Sequence, residues 1–249
     1  MFNFFVNNQS RQGNSFIITG PDYNHIKNVL RMNISDNILV SEGGASHLCS
    51  ITGFNNNAVI AEILRENYQN TELPVKIFLF QGLPKGEKTE LIIQKAVELG
   101  VAKITPVEMR NCVVKLDSKK KEAKTNRWQL IAESAAKQSK CSYIPTVCEP
   151  IAYKEAVKQL SNLDLFLLPY ENEEGMESTK KALQKIKNCK TVGILIGPEG
   201  GFSDEEIALA KQNGATLISL GKRILRTETA AITAVGMCML KAEMDFCNE

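Results

Sequence analysis

Two glycine-bearing segments near the end of the chain decide its fold. The first reads Ile196-Gly197-Pro198-Glu199-Gly200-Gly201-Phe202, and the second reads Leu220-Gly221-Lys222-Arg223-Ile224-Leu225-Arg226-Thr227-Glu228-Thr229-Ala230-Ala231. Each follows an apolar run that predicts a strand, over residues 191–196 and 217–220, and each leads into a predicted helix. Open α/β sheets bind ligands at the carboxyl ends of their strands. The two segments therefore predict a binding site.

The local sequence indicates where the two helices begin. Ser203 and Glu206 have the S-x-x-E spacing of a capping box, and Thr227 is a suitable N-cap for the helix that ends the chain. The glycines allow a ligand to approach backbone N–H and C=O groups closely, although they also suit simple turns. The first segment matches neither the P-loop nor the dinucleotide-binding pattern, so a phosphate-cradling loop is not expected.

Strand and helix patterns alternate from residue 74 onward, which indicates an α/β domain with a parallel sheet. The predicted strands cover residues 75–81, 103–108, 163–168, 191–196 and 217–220. The predicted helices cover residues 87–99, 126–139 and 176–187, followed by those after residues 203 and 227. Gly100 is expected to end the first of these helices.

The first seventy residues predict a different, smaller domain. Short apolar or alternating runs at residues 2–6, 16–19, 37–41, 47–52 and 58–64 are separated by glycine- and asparagine-rich turns. Pro21 stands at a plausible first helical position before residues 22–30. This pattern predicts a small β-barrel with one helix, a common RNA-binding shape. We place the domains at residues 1–70 and 74–249, with a linker between them.

Composition excludes several classes of protein. The chain has 249 residues with 43% hydrophobic content, no apolar run of roughly 18 residues and no signal-peptide pattern, so we expect a cytoplasmic protein without a membrane partner. Its seven cysteines form no C-x-x-C pair. Neither a disulfide framework nor a metal site is expected.

Charge is unevenly distributed. The net charge is +2, while residues 1–72 carry four basic and six acidic side chains. The densest basic cluster contains Lys115, Lys119, Lys120, Lys121, Lys124 and Arg127. A solvated loop and an RNA-phosphate contact surface both explain it, the latter because clustered cations release counterions from RNA.

Several segments resemble the bacterial 16S rRNA (uracil-N3)-methyltransferase family RsmE, a branch of the knotted SPOUT methyltransferases. The resemblance rests on the two opening segments and on residues 25–32, 83–88, 92–101 and 127–139. It implies a PUA-like β-barrel followed by a SPOUT domain with a trefoil knot. The chain departs from the family at Cys141, where the family usually has arginine; Lys140 is the neighbouring cation.

The resemblance also implies an activity and partners. These are methyl transfer from S-adenosylmethionine to N3 of uracil 1498 in 16S rRNA of the small ribosomal subunit, and a homodimer whose active sites include both subunits. It implies that three loops hold the cofactor. The expected cofactor-binding residues are Leu168, Pro169, Ile196, Gly197, Pro198, Gly200, Gly201, Leu220, Gly221, Ile224, Leu225, Arg226, Thr229 and Ala230.

The residue types restrict the chemistry. Methylation at N3 requires removal of an imide proton, and both histidines, His25 and His47, lie in the N-terminal domain. Glu199 and Glu228 are therefore the candidate catalytic carboxylates, although either could instead cap backbone N–H groups. Arg226 is the candidate that stabilises negative charge developing on uracil, with a surface ion pair to Glu228 as its alternative role.

Three functions stay open at this stage. Besides the uracil methyltransferase, the chain could be a knotted methyltransferase acting on a ribose 2′-hydroxyl or on tRNA, or a non-catalytic RNA binder in ribosome assembly. The residues expected to contact RNA are Arg11, Lys27, Arg31, Lys85, Lys119, Lys120, Lys121 and Arg127.

Overall fold

The computed structural model of the protein describes residues 1–173 and 175–246, so the predicted thiol Cys247 lies outside the described residues. The chain divides into two compact units. The first contains Met1–Glu72 and Ala136–Ile144, and the second contains Leu73–Ala135 and the chain from Pro145 onward. The domain limits given above stay a prediction; the structure adds that a short later segment belongs with the first unit.

The first unit is a curled sheet of six strands. The strands are β1 (Asn3–Val6), β2 (Arg11–Gln12), β3 (Ser15–Thr19), β4 (Asn37–Glu42), β5 (Ala45–Asn55) and β6 (Ala58–Gln69). Their order in the sheet is β1-β4-β5-β6-β3-β2, with only the β1–β4 pair parallel. Alternate apolar residues of these strands, such as Phe4, Phe16 and Ile51, form its buried core. The predicted PUA-like β domain is confirmed.

The predicted helix of this unit is present but changes from α-helical to π-helical geometry along its length. It begins as α1 (Pro21–Asn24) and continues as a π-helical turn over His25–Val29, with Ile26 buried in the core. The segment 136–144 joins the same unit through polar contacts. Asn3 Nδ2 donates to the carbonyl of Cys141 (3.0 Å), and the hydroxyl groups of Thr71 and Ser142 lie 3.2 Å apart.

The second unit contains a parallel sheet. Its strands are β7 (Lys76–Gly82), β8 (Lys103–Glu108), β9 (Thr146–Val147), β10 (Ile151–Ala152), β11 (Leu165–Pro169), β12 (Thr191–Ile196) and β13 (Thr216–Ile218). The order is β10-β8-β7-β12-β11-β13, with β9 also paired to β8, and every pair is parallel. The predicted α/β class is confirmed.

Helices connect these strands, as parallel pairing requires. They are α2 (Lys88–Glu98), α3 (Ser118–Ser139), α4 (Tyr153–Leu160), α5 (Glu177–Lys185), α6 (Asp204–Gln212) and α7 (Thr227–Phe246). Two differ from the sequence-based expectation. Helix α3 begins eight residues earlier than predicted, because its lysine-rich first turns favour helix without an apolar period. Helix α4 was not predicted, although Tyr153, Val157 and Leu160 give it a buried face.

The predicted helix ends are mostly correct. Ser203 and Glu206 form the capping box at the start of α6, with both reciprocal hydrogen bonds present. Gly100 follows α2 with φ +80°, a left-handed conformation that ends a helix readily. The prediction for Thr227 was wrong, because Thr227 is the first residue of α7 and its hydroxyl donates to the carbonyl of Gly197 (2.6 Å).

After β13 at the sheet edge, the chain returns to the middle of the sheet. Helix α7 contacts β7 and β12, and Gln81 at the end of β7 donates to the Thr227 hydroxyl (2.9 Å). This return brings residues 219–227 beside the loop that follows β12. The trefoil knot implied by the family resemblance stays a prediction.

Candidate functional site

A cavity of about 580 Å³ lies at the carboxyl ends of β11, β12 and β13. Its walls are the three loops that follow these strands, together with Lys88 at the start of α2. The lining residues are Lys88, Pro169, Tyr170, Glu171, Ile196, Gly197, Pro198, Glu199, Gly200, Gly201, Phe202, Ser219, Leu220, Gly221, Lys222, Arg223, Ile224, Leu225, Arg226, Thr227 and Ala230. The cavity lies where the topology of a parallel sheet places a ligand site.

The structure brings most of the predicted cofactor residues together around this cavity. All but Leu168 and Thr229 line it. Leu168 is fully buried within β11, one residue before the strand leaves the sheet. Thr229 lies in the first turn of α7 and is exposed. Whether these residues bind a cofactor stays a prediction.

The glycines of the loop after β12 are required for two different reasons. A Cβ on Gly200 would lie 2.9 Å from the Cβ of Asn111, which is too close without a shift of the neighbour, and one on Gly197 would lie 3.1 Å from the Phe202 ring, which is a tight contact. Gly201 has more space, but its φ of +65° is a conformation that other residues rarely adopt. At these three positions the loop presents backbone and no side chain to the cavity.

A neighbouring segment holds this loop in place. The side-chain amide of Asn111 donates to the carbonyls of Gly200 (2.8 Å) and Gly201 (3.3 Å). The backbone N–H of Arg110 donates to the capping-box carboxylate of Glu206 (2.9 Å). These bonds fix the loop and the start of α6 to the segment that follows β8.

Lys88 forms an ion cluster with both candidate carboxylates. Its Nζ lies 2.9 Å from Glu199 Oε1 and 3.5 Å from Glu228 Oε2. Glu199 also accepts a hydrogen bond from the backbone N–H of Lys85 (3.1 Å). Glu199 thus joins the loop after β12 to the segment between β7 and α2, which is a structural role.

The ion cluster shifts two pKa values in opposite directions. Partial burial of Glu199 favours its neutral form, but the hydrogen bonds from Lys88 and from backbone N–H groups outweigh burial and hold its pKa below the usual value. The hydrogen bond to Glu199 raises the pKa of Lys88, against a smaller opposing effect of desolvation. Both groups are therefore charged at neutral pH.

Glu228 is held less completely than Glu199. Its side chain is 14% exposed, and its Oε2 atom is buried without a hydrogen-bond partner, with Lys88 as its ion-pair partner at 3.5 Å. It is absent from the cavity lining, but the residue before it, Thr227, and its partner Lys88 both line the cavity. The carboxylate therefore lies at the edge of the cavity.

Arg226 lines the cavity and is exposed. The alternative role of an ion pair with Glu228 is not seen, because Glu228 pairs with Lys88 instead. Among the side chains that the structure describes, Arg226 forms no ion pair within 4.0 Å. Its guanidinium is available to a ligand.

Most of the predicted RNA-binding residues in the second unit lie on helix α3, not on a loop. Lys119 and Lys120 are exposed, although Lys120 pairs with Asp117 (3.1 Å). Lys121 is more enclosed and pairs with Glu108 of β8 (2.8 Å), whereas Arg127 pairs with Glu90 of α2 (2.8 Å). Lys121 and Arg127 therefore also have structural contacts.

The remaining predicted RNA-binding residues have varied surroundings. Arg11 pairs with Glu66 and Glu42, and Lys27 lies over the rings of Tyr23 and Phe54. The other two predicted residues, Arg31 and Lys85, have exposed side chains. Their contact with RNA stays a prediction.

Two classes of feature are absent from the described parts of the chain. No helix in residues 1–173 and 175–246 is long and apolar enough to span a membrane. Over the same residues, no group of three or more His, Cys, Asp or Glu side chains could hold a metal ion.

Comparisons with known proteins agree with the fold. An RNA methyltransferase domain model matches residues 71–239, and an RNA methyltransferase PUA domain model matches residues 18–64. Ribosomal RNA small subunit methyltransferase E of Bacillus subtilis is 35% identical over 95% of this chain and 94% of its own. The protein of that name from Mesomycoplasma hyopneumoniae is 37% identical over 96% of this chain and 99% of its own.

A solved structure shows the same architecture. Ribosomal RNA small subunit methyltransferase E of Neisseria gonorrhoeae, crystallised bound to S-adenosylmethionine, superimposes with a TM-score of 0.80 and 31% identity over 94% of this chain and 95% of that one. The two domain models and the full-length relatives thus all point to an RNA methyltransferase. The chain belongs to the ribosomal RNA small subunit methyltransferase E family of RNA methyltransferases.

Proposed function

We propose that this protein transfers the methyl group of S-adenosylmethionine to N3 of a uridine in 16S rRNA, at the position numbered 1498. The observation that carries the proposal is the cavity at the ends of β11, β12 and β13, whose three loops coincide with those expected from the sequence. A relative with 31% identity over nearly the whole chain binds the same cofactor.

The cavity suits this cofactor. Its volume of about 580 Å³ lies within the usual range of small-molecule sites. Gly197, Gly200 and Gly201 line the cavity without side chains, so a ligand can approach their backbone groups closely. The residues that would hold the cofactor are the lining residues of the three loops.

The protein residues supply alignment and proton transfer. When bound, S-adenosylmethionine supplies an activated methyl group, so the protein must orient uracil N3 and accept its proton. We assign proton acceptance to Glu228, because Glu199 accepts hydrogen bonds from Lys85 and Lys88, whereas the Oε2 atom of Glu228 has a longer ion pair with Lys88 (3.5 Å) and no hydrogen-bond partner among the described residues. Arg226 stabilises the negative charge that develops on the uracil oxygens.

The proposal includes a cytoplasmic homodimer, as the family resemblance implies. Ala231, Ala234 and Val235 of α7 are buried within the protomer, so packing in its own core accounts for these apolar residues. The exposed apolar side chains Leu240, Met244 and Phe246 near the end of α7 are the candidates for subunit contact. Sedimentation that shows an active monomer at assay concentration contradicts this part of the proposal.

Calorimetry with S-adenosylhomocysteine tests the cofactor assignment. We expect binding by the unmodified protein and a loss of at least about tenfold in affinity for Gly201→Ala, because strain at positive φ distorts the cavity wall. Gly214→Ala is the matched control, since Gly214 also has positive φ (+86°) but lies outside the cavity. Equal affinity in all three proteins contradicts the assignment.

Methyl transfer to small subunits from cells that lack this protein tests the reaction. We expect labelled methyl groups to appear in N3-methyluridine after digestion of the 16S rRNA. Label in a 2′-O-methylated nucleoside, or in tRNA alone, would support the rival enzyme instead. Absence of label together with RNA binding would support a non-catalytic assembly protein.

A further inference from the structure

A buried polar chain connects β7, helix α7 and the cavity wall. Gln81, at the carboxyl end of β7, is 2% exposed, and Thr227 is 5% exposed. Gln81 Nε2 donates to Thr227 Oγ1 (2.9 Å), and Thr227 Oγ1 donates to the carbonyl of Gly197 (2.6 Å). Gly197 and Thr227 line the cavity, whereas Gln81 does not.

The hydrogen bonds from Gln81 through Thr227 to Gly197 have only one possible direction. The Gly197 carbonyl can only accept, so the single Thr227 proton must point toward it. Thr227 must then accept from a donor, which fixes the Gln81 amide with Nε2 toward Thr227. The Nε2 group also donates to the carbonyl of Gly82 (2.9 Å).

This orientation leaves Gln81 Oε1 buried without a hydrogen-bond partner. An unpaired buried acceptor destabilises a folded protein, so it offsets part of what the two hydrogen bonds of Nε2 contribute to stability. The amide is therefore better explained by what it positions than by what it contributes to folding.

We propose that Gln81 is a positioning residue for the methyl donor, acting through Thr227 on the carbonyl of Gly197. The inference rests on the proposed function. Thr227 joins the loop after β12 to the first turn of α7, which directly follows Arg226. By fixing the Thr227 hydroxyl, Gln81 prevents rotation of the Gly197 peptide. It thereby holds the loop after β12 and the first turn of α7 in a fixed relative position.

Calorimetry with S-adenosylhomocysteine on a set of full-length variants tests this role. Thr227→Val keeps the shape of the side chain but removes the bond to Gly197, and we expect the Kd to rise about tenfold. Thr227→Ser keeps the hydroxyl and should restore the Kd to within about twofold of the original value. Thr105→Val is the control, because its buried hydroxyl on β8 has no partner and lies outside the cavity.

The decisive comparison is between single and double variants. Gln81→Met should raise the Kd about threefold to fivefold without lowering the Tm by more than about 3 °C. Combined with Thr227→Val it should add nothing, because its effect passes through the Thr227 hydroxyl. Independent effects that multiply in the double variant, or an unchanged Kd for Gln81→Met, overturn the positioning role.

The same experiment separates this inference from the proposed function. If the unmodified protein does not bind S-adenosylhomocysteine, the cofactor assignment fails, and the positioning role fails with it. If the unmodified protein binds but Thr227→Ser is as weak as Thr227→Val, only the positioning role fails. Failure of Thr105→Val to bind would overturn the role as well, since loss of any buried hydroxyl would then have the same effect.

Discussion

At the residue scale, the structure distinguishes two glutamates that the sequence left equal. Glu199 accepts hydrogen bonds from Lys85 and Lys88, whereas the buried Oε2 atom of Glu228 has an ion pair with Lys88 at 3.5 Å and no hydrogen-bond partner among the described residues. We expect Glu228→Gln to lower the single-turnover methylation rate by about a hundredfold to a thousandfold, within the range of general-base catalysis. Its affinity for S-adenosylhomocysteine should change less than about twofold.

Glu199→Gln is the matched variant, since it removes the other carboxylate of the same ion cluster. It should weaken cofactor affinity at least as much as it lowers the rate, because it loosens a cavity wall. The measurements are single-turnover methylation and calorimetry on both proteins. A larger rate loss for Glu199→Gln than for Glu228→Gln would reverse the assignment.

Arg226 is the second residue whose proposed role can be tested by comparing the methyl-transfer rate with RNA affinity. Arg226→Lys keeps the charge but loses the planar fork of donors that can align uracil. We expect methyl transfer to fall by about a hundredfold, the scale for loss of one preorganised donor. RNA affinity should change little, because Arg226 is one of many exposed cations. A parallel loss of RNA binding and rate would instead show that Arg226 binds phosphate.

Residue-level prediction from the sequence succeeded where a local pattern determines the backbone. The capping box of Ser203 is such a case. The glycine loops line one cavity, and their binding of a cofactor stays a prediction. It failed for Lys88 and Gln81, which lie more than a hundred positions from their partners Glu199 and Thr227. Only the strand order, with β7 beside β12, brings these residues together. No local signal could have found them.

At the scale of elements, Glu199 joins the segment before α2 to the loop after β12. The contribution of this connection to stability should depend on pH. The folded pKa of Glu199 lies below its usual value of 4.5, so its stabilising effect is complete above that pH and is lost as pH falls through the lowered pKa. We expect Glu199→Gln to lower the Tm by about 1 to 3 °C near neutral pH, as partly exposed ion pairs do.

Thermal unfolding at a series of pH values measures this effect. The Tm difference between the original protein and Glu199→Gln should be constant between about pH 6 and 8 and should shrink below about pH 4.5. Glu177→Gln is the control, because Glu177 forms an exposed ion pair with Lys181 on a single helix. A Tm difference that persists below about pH 4.5 would contradict a stabilising role for the charged Glu199 carboxylate.

Helix α3 carries two kinds of lysine, and they should behave differently. Lys119 and Lys120 are exposed, whereas Lys121 pairs with Glu108 of β8. Replacing Lys119 and Lys120 by alanine should weaken RNA binding and reduce the salt slope by about one to two, since each phosphate contact releases about one counterion. Lys121→Ala should mainly lower the Tm. A salt titration of RNA binding that leaves the slope of the double variant unchanged would exclude this surface.

Element prediction depended on how regular the apolar pattern is. Strands β8 and β12 were predicted at their observed limits, because both are continuous buried runs. The early start of α3 was missed because lysine-rich turns carry no apolar period. Assignment of residues 136–144 to the first unit depends on contacts such as Asn3 with Cys141, which no local pattern reveals.

At the scale of the whole molecule, residues 71–239 match an RNA methyltransferase domain and residues 18–64 match an RNA methyltransferase PUA domain. The sequence predicted both classes because apolar periodicity changes near residue 70, from short alternating strands to strands that alternate with helices. The reacting atom of the substrate is the part that the fold does not determine, because related sites can serve different acceptors.

Nucleoside mass spectrometry of 16S rRNA therefore tests the central claim most directly. The RNA is compared between cells with the intact gene, cells that lack it, and deletion cells that carry the Glu228→Gln variant. We predict N3-methyluridine at position 1498 with the intact gene, and unmodified uridine there in the deletion and in most 16S rRNA of the variant. Full N3 methylation in the deletion, or loss of a different modification, would contradict the account.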